Sequence, residues 1–89
     1  MRKIELDIRK MNSVANLHQH LFKALGLPKY YGCNLDALHD CLTELSEATE
    51  IVVPAKVADE KYLGEYGEGF LQVLADSAEE NDALTITLK

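Results

Sequence analysis

Two aspartates four residues apart are the side chains whose type and spacing most suggest chemistry. Asp36 and Asp40 follow Asn34, a residue type that favours the cap position at the start of a helix. Residues four apart on a helix are neighbours with Cβ atoms about 5–6 Å apart, so the two carboxylates would share one face. The leucines of the same segment fall on the opposite face, and we therefore expect both aspartates to be exposed. Spacing alone favours an ordinary solvated face, so a binding role needs further support.

Paired carboxylates are also the catalytic groups of glycoside hydrolases, where they lie about 5–9.5 Å apart across a cleft. One convex helix face in a chain of 89 residues offers no such cleft. A small hydrolase that uses Asp36 and Asp40 is therefore the least favoured hypothesis, and we expect a protein that is not an enzyme.

The histidines and cysteines lack the spacing of a metal site or of a catalytic pair. His18 and His20 are two residues apart on a predicted helix, and the consecutive residues 39–41 also point in different directions. Neither set has the spacing that zinc ligands usually show. Cys33 and Cys41 would be roughly 12 Å apart along a helix, too far for a disulfide. We expect no metal, no cofactor and no disulfide.

The apolar pattern predicts an α/β fold built on a three-stranded parallel sheet. Ile4, Leu6 and Ile8 alternate with charged residues, which is typical of a half-buried strand, and residues 84–88 alternate in the same way. The continuous β-branched run at residues 50–54 indicates a central strand that is covered on both faces. Helices between the strands imply right-handed crossovers, so the sheet should be parallel.

Three to four helices should pack on this sheet. The first follows a cap at Asn12 or Ser13, and the second begins after Asn34. A short helix is predicted near residues 56–62, and the last helix should end near Asn81. A loop before that last helix is predicted from Gly64, Gly67 and Gly69. Apolar residues three or four apart form the buried stripes of the first two helices: Val14, Leu17, Leu21 and Leu25, then Leu35, Leu38, Leu42 and Leu45.

Charge is distributed unevenly along the chain, whose net charge is −6. Residues 1–29 carry six basic and two acidic side chains, whereas residues 30–89 carry three basic and thirteen acidic ones. A negative field of this kind repels nucleic acid and attracts basic partners. We expect no direct binding to nucleic acid. An acidic surface that serves only solubility would show the same balance.

The length and the apolar content, 47% of residues, fit one domain over residues 1–89. No stretch approaches the roughly 20 apolar residues that span a bilayer, so we expect no membrane association. The first residues contain no apolar segment of the secretory kind, which favours a cytoplasmic location.

The most specific motif is LPKYYGCNLDALHDCL at residues 27–42. It strongly resembles the barstar family of intracellular ribonuclease inhibitors. The similarity continues in collinear order at residues 17–19 (Leu-His-Gln), 71–73 (Leu-Gln-Val) and 85–86 (Thr-Ile). The fold that this family implies, a three-stranded parallel sheet with packed helices, agrees with the fold predicted from the apolar pattern.

The resemblance implies a protein that blocks the active site of a basic ribonuclease of the secreted type. By position, Asp40 would lie where the RNA phosphate binds, and Asn34 and Asp36 would contact the rim of that site. Tyr30 would pack against the region that guides the substrate, and Asp76 would form a peripheral ion pair. The partner-binding residues predicted in this way are Tyr30, Asn34, Asp36, His39, Asp40, Thr43 and Asp76.

The sequence departs from the family pattern at several of these positions. His39 and Leu45 stand where well-known members carry tryptophan, Cys33 stands where the best-known member is acidic, and Asp76 replaces a glutamate. These changes leave the target nuclease open, and a binding module of the same fold for a basic partner other than a nuclease is the alternative. His39 is either plain surface or a pH-sensitive charge beside Asp40.

Overall fold

The computed structural model describes all residues, Met1–Lys89. It contains three strands and three α-helices, with single 3₁₀ turns at Ile8–Lys10 and Ala55–Ala58. In chain order the elements are β1 (Arg2–Glu5), α1 (Val14–Leu25), α2 (Leu35–Thr43), β2 (Thr49–Val53), α3 (Gly64–Glu80) and β3 (Leu84–Leu88). None of the helices is both long and apolar enough to cross a bilayer.

The three strands form one parallel sheet in the order β1-β2-β3, which confirms the predicted fold class. Ile51 of β2 is aligned with Ile4 of β1 and with Ile86 of β3. Consecutive residues of a strand point to opposite faces, and Ile51, Val52 and Val53 are all buried. The central strand is therefore covered on both faces, as its β-branched run predicts.

The first strand is shorter than predicted. β1 ends at Glu5, and Ile8 begins a 3₁₀ turn instead of continuing the alternation. The cause is local, because the carboxylate of Asp7 accepts a hydrogen bond from the Arg9 backbone N–H at 3.0 Å and caps the turn. The Arg9 guanidinium also bonds this carboxylate and lowers the pKa of Asp7 to about 2.

The predicted glycine loop is wrong, because α3 begins at Gly64 and runs through all three glycines. A Cβ atom at Gly67 would lie 2.1 Å from the Val57 carbonyl oxygen, so only glycine lets α3 approach the 3₁₀ turn at Ala55–Ala58 this closely. Of the short helix predicted near residues 56–62, only this 3₁₀ turn is present. Glycine has low helix propensity, and the tertiary contact overrides it here.

The helices begin and end largely where their capping residues predict. The Ser13 side chain caps α1, and Gly26 ends it in the left-handed conformation with φ of 64°. Within the two predicted stripes, Val14 is 40% exposed, and Leu45 lies beyond the end of α2 and is only half-buried. Leu35 is half-buried and packs against the core, and the other stripe residues belong to one core of 15 buried side chains.

Candidate protein-binding site

The loop before α2 and the first turn of the helix fix each other locally. The Asn34 carboxamide oxygen accepts a hydrogen bond from the Ala37 backbone N–H at 2.7 Å, which caps the helix. Cys33 takes the left-handed conformation with φ of 53°, the one non-glycine residue to do so. The Asn34 side chain is exposed, but its carboxamide oxygen already accepts the hydrogen bond from Ala37 within the chain.

The far end of α2 is held by the residue that follows α3. The Asn81 side-chain amide donates to the carbonyl oxygens of Leu42 and Leu45, at 2.9 Å each. Leu42 belongs to the last turn of α2 and Leu45 is the second residue after the helix, where backbone acceptors lack helical partners. Because Leu38 and Leu42 are also fully buried, α2 is fixed at both ends and along one face.

The two aspartates of α2 face the solvent, as their spacing predicts. Both are exposed, and the Asp40 side chain is 81% exposed. No lysine or arginine nitrogen lies within 4.0 Å of either carboxylate. The ion pairs that lysine and arginine form involve other acidic residues. Asp36 lies in the first turn, where the helix dipole stabilises a negative charge. The chain therefore offers two carboxylates that no internal lysine or arginine neutralises.

Two consecutive tyrosines before α2 have opposite environments. Tyr30 is 85% exposed, whereas Tyr31 is 8% exposed and lies in the core. The Tyr31 hydroxyl is 2.6 Å from Nδ1 of His18, and Nε2 of the same ring is 2.7 Å from the Tyr66 hydroxyl. This chain of three rings, in which His18 and Tyr31 are buried and Tyr66 is half-buried, ties α1, the loop and α3 together. It thereby fixes the backbone that presents Tyr30.

Sequence reasoning missed His18 and Tyr66 as the supports of this loop. A signal for His18 was present, because it is three and seven residues from Leu21 and Leu25 and so shares their buried face. Tyr66 could not be found in that way, since it is 48 residues from His18 in the chain. Burial lowers the pKa of His18 and raises the pKa of both Tyr31 and Tyr66.

A groove of about 470 Å³ between α2 and α3 is lined by His39, Asp76, Glu79 and Glu80. Nε2 of His39 forms a hydrogen bond with the Glu80 carboxylate, and Nδ1 lies 4.0 Å from Oδ1 of Asp40. The structure thus brings Asp76 to the same surface as His39 and Asp40. Glu79 and Glu80 were not predicted, although they lie three and four residues after Asp76 on a helix.

Thr43 lies half-buried in the last turn of α2, one turn after His39 and Asp40. Its hydroxyl is within hydrogen-bond distance of the carbonyl oxygens of both residues, at 3.0 and 3.1 Å. The Thr43 hydroxyl therefore donates its proton within the helix. Its oxygen remains able to accept a hydrogen bond from a partner.

Cys41, on the same helix as the two aspartates, is poorly suited to act as a nucleophile. Cys33 and Cys41 are both free thiols. Burial, with the nearby carboxylates of Glu44 and Asp40, raises the pKa of the Cys41 thiol. A thiol with a raised pKa is a poor nucleophile because the reactive form is the thiolate.

Comparison with known proteins agrees with this geometry. The whole chain, residues 1–89, matches the family model described as Barstar (barnase inhibitor). YrdF of Bacillus subtilis (strain 168), which is named as a proposed ribonuclease inhibitor, is 38% identical over 81 residues. That similarity covers 90% of this chain and 89% of YrdF. The chain belongs to the barstar family.

Proposed function

We propose that this protein is a stoichiometric inhibitor of a basic, barnase-like microbial ribonuclease or ribonuclease toxin, and that it acts in the cytoplasm. The inhibitor blocks the active site of the nuclease with α2 and the loop before it. The observation that carries this proposal is the exposed Asp40 carboxylate, which no lysine or arginine of the chain neutralises, on a helix fixed at both ends. Membership of the barstar family and the similarity to YrdF support the same function.

The chemistry of the target explains why a carboxylate is suited to this task. A ribonuclease must hold the RNA phosphate with cationic groups in a concave site. The Asp40 carboxylate offers those cations an anionic partner that contains no bond to cleave. Hydrogen bonds between charged groups are short and strong, and a rigid helix loses little conformational entropy on binding.

The other predicted residues surround Asp40 in the proposed complex. Tyr30 supplies an exposed aromatic ring for the region that guides the substrate. Asn34 and Asp36 contact the rim of the active site, and Thr43 accepts hydrogen bonds at the end of α2. Asp76 forms an ion pair at the periphery, where its carboxylate is held by the Gln72 amide at 2.9 Å.

The acidic half of the chain steers the nuclease toward this surface. Residues 30–89 carry thirteen acidic and only three basic side chains. Opposite charges accelerate association at low ionic strength, and salt screens the effect over a length of about 10 Å at 0.1 M. The association rate constant should therefore fall between low and physiological salt, which stopped-flow mixing with the nuclease would measure.

Titration of a barnase-like ribonuclease with the purified protein tests the proposal. We expect RNA cleavage to stop at one inhibitor per enzyme. Asp40→Ala should weaken binding by about 3–5 kcal/mol, which is 100-fold or more, because it leaves buried cations of the nuclease unpaired. Asp82→Ala is the matched control, since Asp82 is exposed and its side chain makes no hydrogen bond or ion pair.

The outcomes separate the proposed function from the alternative. Equal affinities for the wild type and the Asp40→Ala variant would contradict the role of α2. If the protein instead recovers only basic partners without nuclease activity from the native lysate, it is a binding module of the same fold.

A further inference from the structure

His39 is the one basic side chain on the acidic surface formed by α2 and α3. We name this surface the acidic face and define it by Asp40, Asp76, Glu79 and Glu80. His39 lies between the two helices, with Nε2 bonded to Glu80 and Nδ1 4.0 Å from Asp40. The three ion pairs that lysine and arginine form with carboxylates all lie outside this face, at residues 2–9 and 47.

The His39 ring therefore faces carboxylates from both elements that pack around it. Asp40 approaches it from its own helix, whereas Asp76, Glu79 and Glu80 line the groove from α3. The imidazole is 34% exposed, so protons exchange with the solvent without any change in the fold. Imidazole is also the side chain that ordinarily changes charge between pH 5 and 8.

The two protonation states of this ring leave the face with different charges. A neutral imidazole donates one hydrogen bond and can satisfy only one carboxylate, here Glu80. The imidazolium donates from both nitrogens, so it can pair with Glu80 and Asp40 together, and it cancels one negative charge of the face. A cationic partner needs these same carboxylates, so the proton and the partner compete.

We propose that His39 is a specificity-determining residue: it releases a proton when a cationic partner binds the acidic face, and so restricts tight binding to neutral and alkaline pH. The partner in this statement is the nuclease of the proposed function, on which the inference rests. The exchange of one proton on binding changes the affinity by at most about tenfold per pH unit, in the pH range where the free protein carries that proton. His39 acts on the neighbouring carboxylates and need not contact the nuclease.

The other two histidines provide a control because they lie elsewhere. His18 is buried between Tyr31 and Tyr66, and Nε2 of His20 accepts a hydrogen bond from the Asp7 backbone N–H at 3.0 Å. Neither ring touches the acidic face. A pH effect that comes from His39 is therefore separable from one that comes from the other histidines.

The first experiment measures the dissociation constant of one barnase-like ribonuclease from pH 5.5 to 8 for the wild type, His39→Gln and His20→Gln. The nuclease's own titrating groups contribute equally to all three measurements. The ratio of the wild-type dissociation constant to that of a variant therefore reports only the substituted histidine of the inhibitor. We expect the wild type to weaken about tenfold relative to His39→Gln between pH 8 and pH 5.5, and to change little relative to His20→Gln. The proposal would be overturned if the wild-type dissociation constant, divided by that of His39→Gln, stayed constant with pH or fell in acid.

The second experiment needs no nuclease and keeps the two proposals distinguishable. The ring protons of His39 are followed by NMR against pH, in the free protein and with a hexalysine peptide as the cationic probe. We expect the peptide to move the charge change of His39 to lower pH, and Glu80→Gln to do the same without peptide. If the midpoint of the His39 titration is unchanged or raised in both cases, the role of His39 is refuted. If the protein binds no ribonuclease, only the proposed function is refuted.

Discussion

Two regions of this molecule contain a histidine that bridges separate elements, and they use it in opposite ways. His18 lies 1% exposed between two tyrosine hydroxyls, whereas His39 lies at the surface between carboxylates. In the first region, the hydrogen bond to Tyr31 is buried and the one to Tyr66 is partly buried, so the ring fixes the loop before α2. In the second region, solvent reaches both partners of the hydrogen bond between His39 and Glu80. Burial, more than residue type, therefore separates a polar bridge that is enclosed by the fold from one that solvent and a partner can reach.

The buried region should give the largest change in stability. His18→Ala removes a fully enclosed ring and leaves the hydroxyls of Tyr31 and Tyr66 without their partner. We expect the free energy of unfolding to fall by about 2–5 kcal/mol, from the cavity and the unsatisfied hydroxyls together. Urea denaturation measures this loss. Asp40→Ala is the contrasting variant, because it should leave the unfolding midpoint almost unchanged while it abolishes tight inhibition.

A narrower change tests the hydrogen bonds of the same region without a cavity. Tyr66→Phe removes only the hydroxyl that lies 2.7 Å from Nε2 of His18. A buried polar group without a partner costs about 1–3 kcal/mol, so we expect a loss of that order in the free energy of unfolding. Tyr62→Phe is the control, since Tyr62 is half-buried and its hydroxyl makes no hydrogen bond within the chain. Equal losses in the two variants would show that the His18 contact contributes nothing.

Acid should destabilise the fold moderately through the same ring. Burial holds the pKa of His18 below its ordinary value of 6.5, so in mild acid the unfolded chain binds a proton that the folded chain does not. This contribution is complete above about pH 6.5 and is lost as the pH falls toward the pKa of the folded state. Denaturation midpoints from pH 7.5 to 5 measure the slope. His20 has a pKa lowered by burial and by Lys10, so His20→Gln should reduce the slope only in part.

The surface region should give the smallest change in stability. Glu80→Gln removes the charge that faces His39, in a pair whose side chains are 34% and 57% exposed. Ion pairs of this exposure contribute less than about 1 kcal/mol, so thermal unfolding should shift by only a few degrees at most. A loss as large as that of His18→Ala would erase the contrast between the two regions.

Much of the fold was predictable because its signals are local. The caps at Ser13 and Asn34 and the β-branched run of β2 depend on neighbouring residues, and the structure confirms each of them. The glycines of α3 were assigned wrongly for the opposite reason, because helix formation at Gly67 depends on contact with Val57, which precedes it by ten residues in the chain. Ile8 was assigned wrongly although its signal is local, because the Asp7 side chain caps a 3₁₀ turn where the apolar alternation predicts a strand.

The sequence by itself determined the exposed aspartates of α2, because a four-residue spacing and a leucine stripe place them on the solvent side of any helix formed there. Only the tertiary structure decided what surrounds them. His39 meets Glu80 across 41 residues, and His18 meets Tyr66 across 48. Such contacts depend on how the helices pack on the sheet, and spacing along the chain carries no information about that packing.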